Sequence, residues 1–327
     1  MSAGPELSVV LACTDSYPTI AATLERLRAQ TVRDRIELVV VARSKDELAI
    51  PLAAVAGFFG SEIVEIGAFE TIARANVAGV RRAHAPVVAL AEDHCFPEPE
   101  WAAALLRAHE GPWAAVGPVV ANANPASAVS WADYLIGYGP WADPTPSGEA
   151  ELLPGHNSSY KREVLLAYGD RLEAMLASES VLHMDLRSRG ERLYLSADAR
   201  AAHVNFSRMA SWLAVQVHNG RVFGAARARD WSLARRLFYA AASPLIPIVR
   251  CWRGARALLL PGRPRHELPR VLPALALGLA LDGVGQMLGY AFGPGRSLGK
   301  LADYEFRRID HVRPEEHRLF DSQARVG

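Results

Sequence analysis

The stretch VVALAEDHCFPEPEW, from Val87 to Trp101, decides how this chain reads. Five apolar residues, Val87 to Ala91, predict a buried strand, and the run breaks at once into Glu92-Asp93-His94. Ionisable residues at the carboxyl end of a buried strand are where open α/β sheets bind ligands. A carboxylate and an imidazole two residues apart can each give one ligand to a divalent ion and leave its other positions to phosphate oxygens. Taken alone, such a triplet ahead of a helix started by Pro97 and Pro99 is more often an exposed polar turn. The surroundings must choose.

Upstream, strand-like and helical patterns alternate, the rhythm of an α/β sheet with crossover helices. SVVLAC (Ser8 to Cys13) predicts a first strand. Ile20, Leu24 and Leu27 recur at helical spacing within 19–30, and IELVVV (Ile36 to Val41) returns as a strand. A short strand over 62–66 and a helix over 70–83 follow, the helix turning Ile72, Ala73, Val77 and Val80 inward. Downstream, the pattern predicts a helix over 101–109 and a strand over 114–121, then a long loop over 140–155. Next come a strand over 157–160, helices over 162–167 and 180–189, the latter closed by Gly190, and a strand over 192–197.

After about Asn205 the character changes. Between Arg227 and Arg270 there are ten arginines, no lysine and two acids, Asp230 and Glu267, set among apolar runs. Basic residues beside apolar ones suggest an anchor at an anionic membrane surface. Val271 to Phe292 holds a single charge, Asp282, over a length close to a membrane span. Pro273, several glycines and Gln286 favour a surface-lying or re-entrant hairpin over a true crossing, with a packed helical subdomain as the other reading. The division expected is a catalytic domain over 1–225 and a helical, membrane-associated region over 226–327.

Bulk composition narrows the partners. The 327 residues carry 36 basic and 35 acidic side chains, so no basic field exists of the kind that drives nucleic-acid binding. Cys13, Cys95 and Cys251 lie far apart, which excludes a disulfide framework or a CxxC site and fits a reducing compartment. The amino terminus lacks the pattern of a secretory signal, so the expected location is the cytoplasm, at the inner face of the cell membrane. GPGRSLGK (Gly293 to Lys300) misses the phosphate-loop spacing, and Leu301 stands where Ser or Thr would bind magnesium. Gly283, Gly285 and Gly289 miss the dinucleotide spacing as well.

The ordered set of motifs resembles the family 2 inverting glycosyltransferases, over about residues 7 to 225. Arg74-Ala75-Asn76 on a helix, then ALAEDHCFPEPEW, is similar to that family's Arg-x-Asn helix, Asp-x-Asp strand end and Pro-x-Pro-x-Trp helix start. The resemblance implies a Rossmann-like, A-type nucleotide-diphospho-sugar transferase fold with a mixed central sheet. It puts a divalent metal, Mn or Mg, on Glu92 and His94, with Glu and His replacing the family's two aspartates and Asp93 between them. Pro154 to Arg162 (PGHNSSYKR) resembles the Gly-x-Asn-x-x-x-x-Arg segment lining the acceptor side of the donor pocket, which implies substrate contacts from Gly155, His156 and Asn157. Ser178-Glu179 matches the Glu-Asp pair that carries the base, and His203 stands where a histidine near the metal or pyrophosphate is found.

Chemistry supplies a reason for these assignments. Inversion requires the acceptor hydroxyl to attack opposite the departing diphosphate, and a carboxylate beside that hydroxyl can take its proton. Glu179 is the candidate base and Asp185 the reserve; alone, Glu179 would read as an acid complementing a helix dipole. Thr14 and Asp15 follow the first strand where the nucleoside would lie, though Asp15 can also cap the next helix. Arg74, Asn76, Glu92 and Asp93 complete the expected donor contacts. The second strand ends in Ala42-Arg43-Ser44 rather than an Asp-rich turn, which leaves base recognition open. Gln216-Val217-His218-Asn219-Gly220-Arg221 lacks the Arg-Trp of polymerising members, so transfer of a single sugar is expected. The partners implied are a nucleotide-diphosphate sugar, a hydroxyl acceptor that includes lipid-linked ones, and a membrane surface. The alternative is a nucleotide-sugar-binding or assembly protein of the same fold without catalysis.

Overall fold

The computed structural model describes residues Gly4 to Asp321. Its strands are β1 (Leu7–Cys13), β2 (Ile36–Ala42), β3 (Gly60–Glu65), β4 (Val87–Ala91), β5 (Cys95–Pro97), β6 (Ala115–Asn122), β7 (Gly148–Ala150), β8 (Ser159–Lys161) and β9 (Leu193–His203). The helices are α1 (Tyr17–Arg28), α2 (Lys45–Leu48), α3 (Ile72–Arg82), α4 (Trp101–His109), α5 (Ala128–Tyr138), α6 (Arg162–Leu166), α7 (Leu172–Leu176), α8 (Glu179–Ser188), α9 (Met209–Arg227), α10 (Leu233–Ala242), α11 (Ile246–Leu259), α12 (Leu268–Phe292) and α13 (Ser297–Glu305). Two compact units result, the second built from Asn122–Pro144 and Val204–Glu316 and the first from the rest of the described chain.

The first unit is organised by one sheet in the order β3-β2-β1-β4-β8-β6-β9-β5, with β7 on β9. β1, β2 and β4 are almost wholly buried, as expected of parallel strands covered on both faces, and the half-exposed β3 forms the edge. β1 pairs in parallel with both β2 and β4, whereas β8 runs antiparallel to β4 and β6. The sheet is therefore mixed, as the resemblance implied. Register places the functional ends: Leu11 lies opposite Ala91, so the segments leaving β1 and β4 emerge side by side.

Three differences from the sequence expectations concern this unit. The strand expected over 192–197 runs on to His203, because its last residues pair antiparallel with β5, Cys95 opposite His203. Three residues of β5 are too few to show alternation, so neither it nor the extension was legible. The loop expected over 140–155 contains β7, which pairs with β9.

The second unit is helical. α9 and α12 approach so closely that a Cβ on Gly220 would stand 2.1 Å from the carbonyl oxygen of Asp282, and one on Gly285 2.2 Å from that of Val217. Glycine is required there because backbone meets backbone. The expectation of a re-entrant hairpin over 271–292 is corrected: α12 is one unbroken helix through Pro273, continuous because its glycine face is seated on α9. By length and composition it is apolar enough to cross a membrane, with 44% of its most apolar window buried in the protein. The boundary expected at residue 225 falls inside α9, and α5, which no motif announced, packs with this unit.

Candidate active site

Glu92 leaves the end of β4 with its backbone carbonyl held by the Thr23 hydroxyl of α1 at 3.2 Å. Its carboxylate oxygens face three imidazoles. His94 Nε2 is 3.6 Å from Oε1, His203 Nε2 is 3.7 Å from Oε2, and His156 Nδ1 is 3.3 Å from Oε1. His203 arrives through the β5–β9 pairing, and its ring meets that of His94 edge-on with centroids 5.0 Å apart. One ligand atom from each of Glu92, His94 and His203 lies within 4.8 Å of the others. Ligands about 2.0–2.2 Å from one ion stand about 3–4 Å from each other, so this carboxylate and two imidazoles fit a divalent metal.

Asp93 is turned the other way. Its Oδ1 is 2.5 Å from His94 Nδ1, an arrangement in which Nδ1–H donates to the carboxylate and Nε2, on the Glu92 side, keeps its lone pair. Carboxylates behind ligating histidines fix the tautomer in this way. Asp93, expected among the substrate contacts, also braces His94.

His156 spans the site. Its Nδ1 addresses Glu92 while its Nε2 stands 3.7 Å from Glu179 Oε1, so the two glutamates lie on opposite sides of one imidazole. Glu179 opens α8 and leans on Gly155, where a Cβ would come 2.8 Å from its carboxyl carbon. A Cβ there would push the carboxylate from this position. Asn157 follows in the left-handed region at φ 61°, a conformation asparagine adopts more readily than most residues, and its N–H donates to Leu90 O at 2.6 Å. Its side chain is buried, and among the described residues neither of its polar atoms has a hydrogen-bond partner. A buried amide in that state calls for an explanation, and a bound ligand is one.

Behind Glu179 lies a second layer of buried polar groups. One turn along α8, His183 Nδ1 accepts from Leu153 N–H at 3.4 Å, which leaves the proton on Nε2, 2.9 Å from the Tyr160 hydroxyl. Burial pushes the His183 pKa down to about 3, so the ring is neutral, and burial with the Glu179 charge raises that of Tyr160. His109, 2.9 Å from the Ser159 hydroxyl, is likewise pushed down, to about 4, by burial and then by Lys161.

The remaining expected residues stand outside this ring of contacts. Thr14 and Asp15 follow β1, Thr14 half-buried and Asp15 exposed; Ser16, not Asp15, occupies the cap position of α1, without a side-chain cap bond. Asn76 is buried on α3, while Arg74 is exposed there and ion-paired with Glu70 at 2.5 Å. Asp185 accepts from the Tyr168 hydroxyl at 2.6 Å and pairs with Arg189, a structural role.

Parallel strands that carry ligand residues at their carboxyl ends, continued by antiparallel ones, define the A-type class of nucleotide-sugar transferases. Residues 8–169 match the model described as Glycosyl transferase family 2, and by this segment the chain belongs to that family. Glu179 and His203 lie beyond the matched segment. No curated protein sequence matches the chain. Among solved structures it is similar to GalNAc-T7 with UDP, GalNAc and Mn2+, at 13% identity and TM-score 0.45, over 62% of this chain and 44% of that one. It is also similar to the mannosyltransferase PcManGT from Pyrobaculum calidifontis in complex with GDP-Man and Mn2+, at 16% identity and TM-score 0.46, over 98% of this chain and 85% of that one. S. aureus TarS matches at 13% identity and TM-score 0.44, over 86% of this chain and 55% of that one. The chain thus spans less than half the length of the first of these.

Proposed function

We propose that the chain moves a single sugar from a nucleotide-diphosphate donor to an acceptor hydroxyl with inversion at the anomeric carbon. Glu92, His94 and His203 would hold Mn2+ or Mg2+, and Glu179 is the base. The observation that carries this reading is the single imidazole of His156 between the ligand carboxylate and Glu179.

In the proposed step the acceptor oxygen bonds to the anomeric carbon while its proton passes to a Glu179 carboxylate oxygen. The bond from that carbon to the diphosphate breaks on the opposite face, and its electron pair leaves with the diphosphate oxygen. The ion, when bound, supplies the charge that stabilises the departing diphosphate. Asp93 keeps His94 in the ligating tautomer, Gly155 admits the loop to Glu179, and the Asn157 amide is available to donor hydroxyls or phosphate. Thr14, Asp15, Arg74 and Asn76 are assigned to the nucleotide side, and the single-sugar reading gains support from α9, where Gln216 serves Asp133 and Gly220 seats α12.

The same reading puts the protein on the cytoplasmic side of a membrane, acting on hydroxyl acceptors that include lipid-linked ones. Its test is a screen of the purified protein against nucleotide sugars with Mn2+ or Mg2+, following nucleoside diphosphate release. Metal-dependent release with one donor is the expected result. Donor binding by calorimetry without release under any acceptor would replace this reading by that of a non-catalytic sugar-nucleotide binder.

A further inference from the structure

Three consecutive helices of the second unit are built inside out. On α11 and the turn before it, Leu245, Ile248, Val249, Trp252 and Leu259 fall on one helical stripe, and all five are exposed. Arg250 on the same helix points inward, paired with the buried Asp282 and donating to Ile136 O at 3.0 Å. α10 repeats the reversal. Leu237 and Phe238 are exposed while Arg236 donates to the carbonyls of Tyr290 and Ala291 at 2.8 and 3.0 Å. α12 shows Leu277 and Val284 outward and buries Asp282 and Gln286. Fourteen of the nineteen exposed large apolar side chains among the described residues lie between Leu233 and Phe292. A helix surrounded by water hides its apolar stripe, so a face of this kind has a partner that is not water.

Charge identifies the partner. Within 227–270 six arginines are exposed, against one exposed acid, Asp230. Two guanidiniums sit over indoles at this boundary, Arg235 over Trp231 at 4.2 Å and Arg256 over Trp252 at 4.6 Å. Apolar stripes edged by arginine and tryptophan match the headgroup region of an anionic bilayer, where the rings sit at the interface and the cations meet phosphate.

The inner side of α12 decides how deep the contact goes. It is locked backbone to backbone on α9, which carries His218, Arg221 and Arg227. Drawing α12 across a bilayer would drag these groups into hydrocarbon or strip α12 from its partner. We propose that α10, α11 and α12 together form a monotopic docking face that lies in one leaflet of an anionic membrane. The inference deepens the membrane placement proposed above and is independent of catalysis.

The test is flotation of the full chain with vesicles of phosphatidylcholine alone or mixed with phosphatidylglycerol. The chain should float with the mixed vesicles and fall away from them as salt rises. The triple variant Phe238→Glu, Ile248→Glu, Trp252→Glu should lower the floated fraction at least about tenfold with its Tm unchanged. Arg253→Glu with Arg256→Glu, both exposed, should lose the preference for anionic lipid and guards against a folding defect in the first variant. Trypsin added outside the vesicles should cut on both sides of α12. The proposal is overturned if the wild type does not float, if both variants float like it, or if one end of α12 is protected, the mark of a crossing helix. It is overturned equally if the wild type is a dimer that the triple variant converts to monomer, because a second copy would then cover the face. Diphosphate release is scored separately, so loss of flotation and loss of transfer are distinguishable.

Discussion

The two units treat polarity in opposite ways. The first buries apolar strands in its middle and collects ionisable groups at their carboxyl ends, where Glu92 meets three histidines. The second buries Asp282, Arg263 and Arg308, keeps Asp133 largely from water, and turns leucines and aromatics outward. In the first, cost is concentrated at a few residues that a ligand can satisfy; in the second it is spread over an exposed apolar face. The proposed chemistry belongs to the first arrangement and the proposed attachment to the second.

The contrast can be broken at its most sensitive point first. Glu179→Gln should lower kcat by about 10²–10⁴-fold with donor affinity unchanged, read by steady-state kinetics beside calorimetry. A variant with wild-type turnover would remove Glu179 from the step. Asp93→Asn should weaken Mn2+ binding about 10–100-fold, since it releases the His94 tautomer without removing a ligand. Unchanged metal affinity would make Asp93 a bystander.

Packing in the second unit gives the next largest effect. Gly285→Ala should cost about 1–3 kcal/mol of stability, seen as a lowered Tm, because the new methyl meets the Val217 carbonyl rather than a movable side chain. Retention of the wild-type Tm would mean that α9 and α12 are less closely seated than the structure has them.

Acid should weigh more on the first unit than on the second, where a raised Asp133 opposes the lowered imidazoles of His218 and His311. His183 and His109 are held neutral when folded, at about 3 and about 4, against 6.5 for the free ring. Unfolded chains therefore bind more protons below 6.5, and each ring costs the first unit up to about 1.4 kcal/mol per pH unit as pH falls toward its folded value. Asp133 is raised by burial from 3.8 to about 6, so in the folded second unit this carboxyl binds the extra proton and contributes stability as pH falls through about 6 toward 3.8. Proteolytic mapping at pH 5 against pH 7.5 should show cleavage rising in the first unit more than in the second. His183→Phe should flatten the first unit's response if the substituted protein keeps its fold.

Much of the first unit was legible in the chain. Periodicity located β1, β2, β4, α3 and α4 within a residue or two, because continuous apolar runs and a 3.6-residue repeat are local signals. The Glu92-x-His94 pair stood out at its strand end, and the resemblance singled out Gly155 and Glu179, which the structure brings close to one another. What joins them was not legible: β5 and the tail of β9 are defined by pairing between residues about a hundred apart, and that pairing carries His203 to His94. The contact of Asp93 with His94 was not legible, since sequence gives the neighbour but not the rotamer. In the second unit composition announced apolar and basic residues together. It did not announce which way they face, a property of tertiary packing that reversed the usual amphipathic rule on α10 and α11.

Crystals grown with manganese and a nucleoside diphosphate, measured at the manganese absorption edge, test the central claim most directly. The account predicts one anomalous peak at bonding distance from Glu92, His94 and His203, with the diphosphate on the side that faces Glu179. A peak away from these three residues, or a diphosphate bound with Glu179 turned from it, would contradict the account.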